Sequence, residues 1–168
     1  MDEMDITIRT ASLGDLTAVD AVFARAYPAL LKLDYPPSVL VTALPLISRA
    51  QPRLLASGTF YLAEINDTIV GAGGWSVGAP DGAQRAKRLG HIRHLVTDVG
   101  HTRRGIACAL MRHVFKTAGA AGISRLNCQS TRTAVPFYEA MGVEVLDEIS
   151  VPLRPGISFP AVAMTRVL

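Results

Sequence analysis

Between a run of branched apolar residues and an amphipathic helix pattern lies the stretch Thr102-Arg103-Arg104-Gly105-Ile106-Ala107. It brings two guanidinium groups, a glycine and a set of unpaired main-chain amides to a helix start. The positive end of the helix dipole adds to their pull on an anion, so the stretch predicts a phosphate or pyrophosphate cradle. Two familiar cradles are excluded by spacing. Neither Gly-x-x-x-x-Gly-Lys-Ser/Thr nor Gly-x-Gly-x-x-Gly occurs at this turn. The cysteines, Cys108 and Cys128, stand in a predicted helix and a predicted strand rather than in a Cys-x-x-Cys pair. Free buried thiols and no metal site are expected.

The elements that must hold this turn follow from periodicity. His91-Ile92-Arg93-His94-Leu95-Val96-Thr97 interleaves apolar and polar residues, as in a strand over Gly90 to Asp98. In a regular strand His91 and His94 face opposite sides unless a bulge intervenes. Ala107, Leu110, Met111, Val114, Phe115 and Ala118 recur at helical spacing, and Gly119 and Gly122 end the helix. Ile123 to Gln129 reads as a short buried strand. Ser130 to Gly142 holds a short helix with Ser/Thr caps, and Pro136 is tolerated in its first turn.

Upstream, Ile6 to Thr10 alternates as a first strand, and Ser12 or Asp15 caps a helix through Phe23 to Ala26 that Pro28 closes or bends. After the rigid Tyr35-Pro36-Pro37, Ser38 caps a helical stretch from Val39 to Leu55, kinked near Pro45 and Pro52. That stretch can pack as core or form a flap over an acceptor pocket. Thr59 to Glu64 and Ile69 to Trp75 form a hairpin around Asn66-Asp67, and Gly71, Gly73 and Gly74 permit close approach to its second strand. Trp75 suits sheet packing more than a pocket wall. The charged loop from Gly78 to Gly90 is expected to be mobile. Val143 to Ile149 and Ala161 to Leu168 pair as closing strands, with Pro152, Pro155 and Pro160 in a long connection.

At 168 residues the chain suits one α/β domain spanning 1–168, and 49% hydrophobic with 18% charged residues excludes a disordered chain. The apolar runs fall short of a bilayer span. The start, MDEMDITIRT, has no signal-peptide pattern, so a cytoplasmic protein is expected. The net charge of +3 gathers in Gln84 to Arg88 and around Arg103, Arg104, Arg112 and Lys116. With only 6% aromatic residues to stack on bases, a polyanionic cofactor explains the second cluster better than nucleic acid does.

Leu95-Val96-Thr97, followed eight residues on by Gly105-x-Ala107, resembles the acyl-CoA signature of the GNAT superfamily of N-acyltransferases. Thr102 stands where that signature has Arg or Gln, and Thr97 where it has Val. A second resemblance lies in Ala134, Phe137, Tyr138, Glu139 and Gly142, which match the family's segment after its fifth strand, although Thr131 replaces Asn and Val143 replaces Phe. The resemblance implies an α/β (α+β) fold, a mixed sheet of about seven strands with splayed fourth and fifth strands and about four helices. It further implies an acetyl-CoA-dependent N-acetyltransferase acting on a small-molecule or peptide amine. Acetyl-CoA would be held by Leu95, Val96, Thr97 and the turn Arg103, Arg104, Gly105, Ile106, Ala107 and Cys108. Tyr138 would protonate the leaving thiolate. His91 precedes Leu95 by the spacing at which related enzymes carry a carboxylate base, so it is the expected base. No metal, membrane or nucleic-acid partner is expected, and a homodimer is left open. A non-catalytic acyl-CoA-sensing domain of the same fold is the alternative.

Overall fold

The computed structural model describes residues 5–78, 88–101 and 104–168. Arg103 and most of the charged loop between Gly78 and Gly90 lie outside the described residues. Seven strands form one sheet: β1 (Thr7–Thr10), β2 (Phe60–Ile65), β3 (Thr68–Ser76), β4 (Leu89–Thr97), β5 (Arg125–Ser130), β6 (Glu144–Arg154) and β7 (Ile157–Val167). Their order across the sheet is β1-β2-β3-β4-β5-β7-β6. All neighbours run antiparallel except β4 and β5, which are parallel and pair only from Leu89–His91 to Arg125–Asn127. Past His91 the two strands part, as expected.

Local chemistry explains the regular parts. Asn66 and Asp67 take positive φ (50° and 62°), the conformation of a two-residue hairpin turn that continues the strand twist. β3 passes close to its neighbours at its glycines, which have no side chain. A Cβ at Gly74 would sit 2.7 Å from the Phe60 Cα, and one at Gly71 2.8 Å from the Ile106 side chain.

Among the described residues five α-helices cover the sheet: α1 (Leu16–Leu31), α2 (Pro37–Ile47), α3 (Pro52–Leu55), α4 (Ile106–Ala120) and α5 (Val135–Ala140). Against one face, Val19, Phe23 and Ala26 of α1 and Leu54 and Leu55 of α3 bury with Phe60, Leu62, Ala72 and Val96. Leu40 and Ala43 of α2 bury with Phe159 and Ala161 of β7. On the other face Ile106, Leu110, Met111, Val114 and Ala118 of α4 pack on Trp75, Ile92 and Leu126. Trp75 is a core residue, and its indole N–H donates to Thr117 Oγ1 at 3.0 Å.

Three expectations change. Of the two outcomes expected at Pro28, closing or bending, closing is ruled out: α1 runs through Pro28 to Leu31. The lost backbone bond is outweighed because the last turn buries Leu31 and seats Tyr27 on β4. The helical stretch from Val39 to Leu55 is two helices, broken at Ser48–Gln51 ahead of Pro52. The long proline-rich connection is instead a hairpin paired from Glu144–Thr165 to Arg154–Ile157. Pro152 sits on the edge strand β6. Pro160 lies beyond the end of β5 pairing at Val162, where no partner strand needs its N–H. Its carbonyl accepts the Tyr35 hydroxyl at 2.7 Å instead.

Candidate active site

The parting of β4 from β5 leaves the inner edge of β4 unpaired by strand. The Asp98 N–H donates to Val70 of β3 at 2.8 Å. Strand alternation therefore turns the Val96 amide toward β3 and the Leu95 and Thr97 amides toward the gap. A cavity of about 290 Å³ fills that gap, lined among others by Leu95, Val96, Thr97, Ala107, Cys128 and Tyr138. At its outer end α4 begins after Gly105, held at φ +77°, and a Cβ there would meet no atom within 4 Å. The helix start is thus open to an anion, with the side chain of Arg104 exposed beside it.

On the α1–α3 side of the sheet lies a second cavity of about 340 Å³, bounded by Leu46, Ile47, Gln51, Arg93, Leu153 and Phe159. Tyr27, Ile92, His94, Gln129 and Thr131 line both cavities. They form the wall between the two.

His94 reaches this wall because β4 bulges. Gly74 pairs with Arg93 and Ala72 with Val96, so Gly73 alone faces the two residues His94 and Leu95. His94 takes φ +46°, and Leu95 packs where a Gly73 side chain would be. Arg93 reaches Gln51, and His94 stacks on Phe23 at 4.9 Å, so these consecutive side chains share the α1–α3 face. The imidazole Nδ1 is hydrogen-bonded to the Tyr27 hydroxyl at 2.8 Å. Burial, then the Arg93 charge, lowers His94 to about 4, so it is a neutral imidazole at pH 7. Burial pushes the Tyr27 phenol well above its ordinary range.

Tyr138 closes the other side of the first cavity. It is 4% exposed, and burial pushes its phenol well above the ordinary value, with the adjacent Cys128 adding to the shift. Burial likewise pushes the Cys128 thiol up to about 12, so it stays uncharged beside Tyr138. α5 is set in place by Thr131, whose Oγ1 accepts from the Ala134 amide at 3.2 Å. The same loop is tied to the α1–α2 connection. The Arg132 N–H donates to the Tyr35 hydroxyl at 2.9 Å, and Thr133 Oγ1 donates to Asp34 at 2.7 Å.

Of the expected site residues, the structure brings Leu95, Val96, Thr97, Ala107 and Tyr138 together around one cavity. Gly105 and Arg104 stand at the start of α4, Ile106 turns into the core, and Cys108 is half-buried outside the cavity lining. Arg103 lies outside the described residues. His91 is not brought to the site. It sits where β4 is paired on both edges, opposite Ser76 and Asn127, and lines neither cavity. Sequence reasoning missed Tyr27 and Arg93. It noted His94 only as dependent on a bulge, for which the glycines of β3 were the available signal.

Comparison with known proteins gives the family. Residues 42–159 match the family described as the acetyltransferase (GNAT) domain, and the chain belongs to that family. It is 27% identical over 151 residues to the uncharacterized N-acetyltransferase YafP of Escherichia coli K12, covering 89% of each chain. Its fold is similar to that of a GCN5-related N-acetyltransferase from Rhodopseudomonas palustris, with a TM-score of 0.78, 22% identity and 98% of each chain covered. A PaiA N-acetyltransferase from Thermoplasma acidophilum, solved with coenzyme A, gives a TM-score of 0.73 at 16% identity, over 98% of this chain and 100% of that one. The chain is accordingly an acyltransferase of the GNAT family.

Proposed function

We propose that the protein transfers an acetyl group from acetyl-CoA to a primary amine, with both substrates bound at once. The observation that carries this reading is the pair of cavities meeting at one wall, one against the free edge of β4 and the start of α4, the other reaching toward α2, β6 and β7. Acetyl-CoA supplies an activated acyl group and a thiolate leaving group. The residues suited to hold it are Leu95 and Thr97 through main-chain amides, Ala107 and Gly105 at the helix start, and Arg103 and Arg104 through charge.

The Leu95 N–H faces the gap and can donate to the carbonyl oxygen as negative charge develops there, a contribution of ~10²–10³ in rate for one such donor. Attack by the amine forms the C–N bond and breaks the C–S bond. Tyr138, whose phenol stays protonated at neutral pH, donates to the departing sulfur. The proton leaving the amine passes to the wall between the cavities. There we assign it to the neutral His94 and its partner Tyr27 rather than to His91, since His94 lines both cavities.

The test is calorimetry with acetyl-CoA together with a screen of amines and peptides read by release of free CoA thiol. Acetyl-CoA binding and acceptor-dependent thiol release are expected. Binding with no acceptor-dependent release across the screen favours a sensing domain instead.

A further inference from the structure

Arg93 stands in the wall of the acceptor-side cavity among apolar neighbours that include Leu46, Ile47, Leu153 and Phe159. Its hydrogen-bond partners among the described residues are neutral: one guanidinium nitrogen donates to Ser76 Oγ at 3.2 Å and another to Gln51 Oε1 at 3.3 Å. Among the described residues no carboxylate pairs with it, whereas the comparable Arg9 holds both Asp15 and Glu64. A half-buried guanidinium set against apolar surface is costly to keep without an anion. None of the residues lining this cavity is acidic, so nothing there would hold an added positive charge.

We propose that Arg93 selects the acceptor, an amine with an apolar body that also carries a carboxylate, as in a free hydrophobic α-amino acid. This rests on reading the second cavity as the acceptor site. The bulge supports the α-amino arrangement over a long-chain amine. It puts Arg93 and His94 on the same face as consecutive residues that line one cavity, so an anion at the first and an amine at the second can be held by one small molecule. At about 340 Å³ the cavity is at the small end for ligand sites, which suits a free amino acid. Leu46, Ile47 and Leu153 would take its side chain. A planar guanidinium can grip a carboxylate with two parallel hydrogen bonds, which a protonated lysine cannot do.

The test compares kcat/KM for leucine and phenylalanine with that for their decarboxylated amines, isopentylamine and phenethylamine, in the parent, Arg93→Gln and Arg93→Lys. The parent should favour each amino acid by about 10- to 100-fold, the range for a hydrogen bond to a charged group. In Arg93→Gln that ratio should fall to near one, and Arg93→Lys should keep part of it. Calorimetry of N-acetyl-leucine against N-isopentylacetamide gives the same comparison without chemistry, and circular dichroism reports folding. Equal use of amine and amino acid by the parent overturns the proposal. So does a preference that survives Arg93→Gln, or a failure of the parent to bind N-acetyl-leucine or use either amino acid. Failure of the parent to bind acetyl-CoA would instead remove the acetyltransferase reading on which the proposal stands.

Discussion

His94 links the geometry of the site to a measurable pH dependence. Its folded-state pKa is lowered to about 4 against 6.5 for a free imidazole. Between those values the unfolded chain binds a proton at this position and the folded chain does not. Stability from this residue is therefore complete above pH 6.5 and is lost as pH falls through about 4. At 1.36 kcal/mol per pH unit the ceiling is roughly 3 kcal/mol. The ring borders two open cavities, so water screens it, and about 1–2 kcal/mol is the expected share. For a chain of this size that corresponds to about 2–8 °C in Tm. Other groups titrate in the same window, among them His113, lowered by burial and then by Lys116. The measurement is therefore a difference: urea unfolding of the parent and of His94→Gln at several values between pH 7.5 and 4.5. The gap between the two curves should close by about 1–2 kcal/mol across that window. Parallel curves would refute the neutral, half-buried imidazole. Turnover gives a second readout, since His94→Gln should lower the plateau and remove or shift the acidic limb. His91→Gln should leave that limb in place. If instead His91→Gln abolishes the limb and His94→Gln does not, the base is His91.

Tyr138→Phe keeps the buried ring and removes the hydroxyl, so acetyl-CoA affinity should hold in calorimetry while thiol release slows by ~10²–10⁴. Unchanged turnover in a chemistry-limited assay would take Tyr138 out of the mechanism. Gly105→Glu forces a side chain onto φ +77° and puts negative charge at the start of α4, so acetyl-CoA binding should be lost in calorimetry with the fold retained by circular dichroism.

The parts of the fold that were legible in the sequence are those in which local chemistry and burial agree. The apolar spacing from Ala107 to Ala118 gave α4 closely, and Asn66-Asp67 gave the β2–β3 turn. Where tertiary contacts overrode local signals, reading failed. Pro28 signals a helix end, yet the last turn of α1 is retained because it buries Leu31 and brings Tyr27 to His94. Pro152 and Pro160 signal a loop, yet both stand where the sheet needs no donor from them. The cofactor side of the candidate site was legible because it depends on one strand, one turn and one helix that are contiguous in sequence. The acceptor side draws on α2, β4, β6 and β7, and no short spacing records that meeting.

The bulge in β4 is what turns a strand into a two-sided site. Without it, strict alternation would place His94 on the α4 face beside Ile92, and the α1–α3 face would present Arg93 and Leu95. The extra residue moves His94 onto the face where Phe23 and Tyr27 wait, while Leu95 turns back toward the α4 side and sends its amide into the gap. Gly73 makes this possible. Any side chain there would meet Leu95 at 2.8 Å, so the backbone kink and the missing Cβ are one feature of the packing. The positive φ of His94, unusual for a residue with a side chain, is held by the ring stack on Phe23 and the hydrogen bond to Tyr27. In the proposed mechanism, proton transfer and local backbone strain therefore fall on the same residue, since the imidazole three positions beyond His91 is the one that lines both cavities.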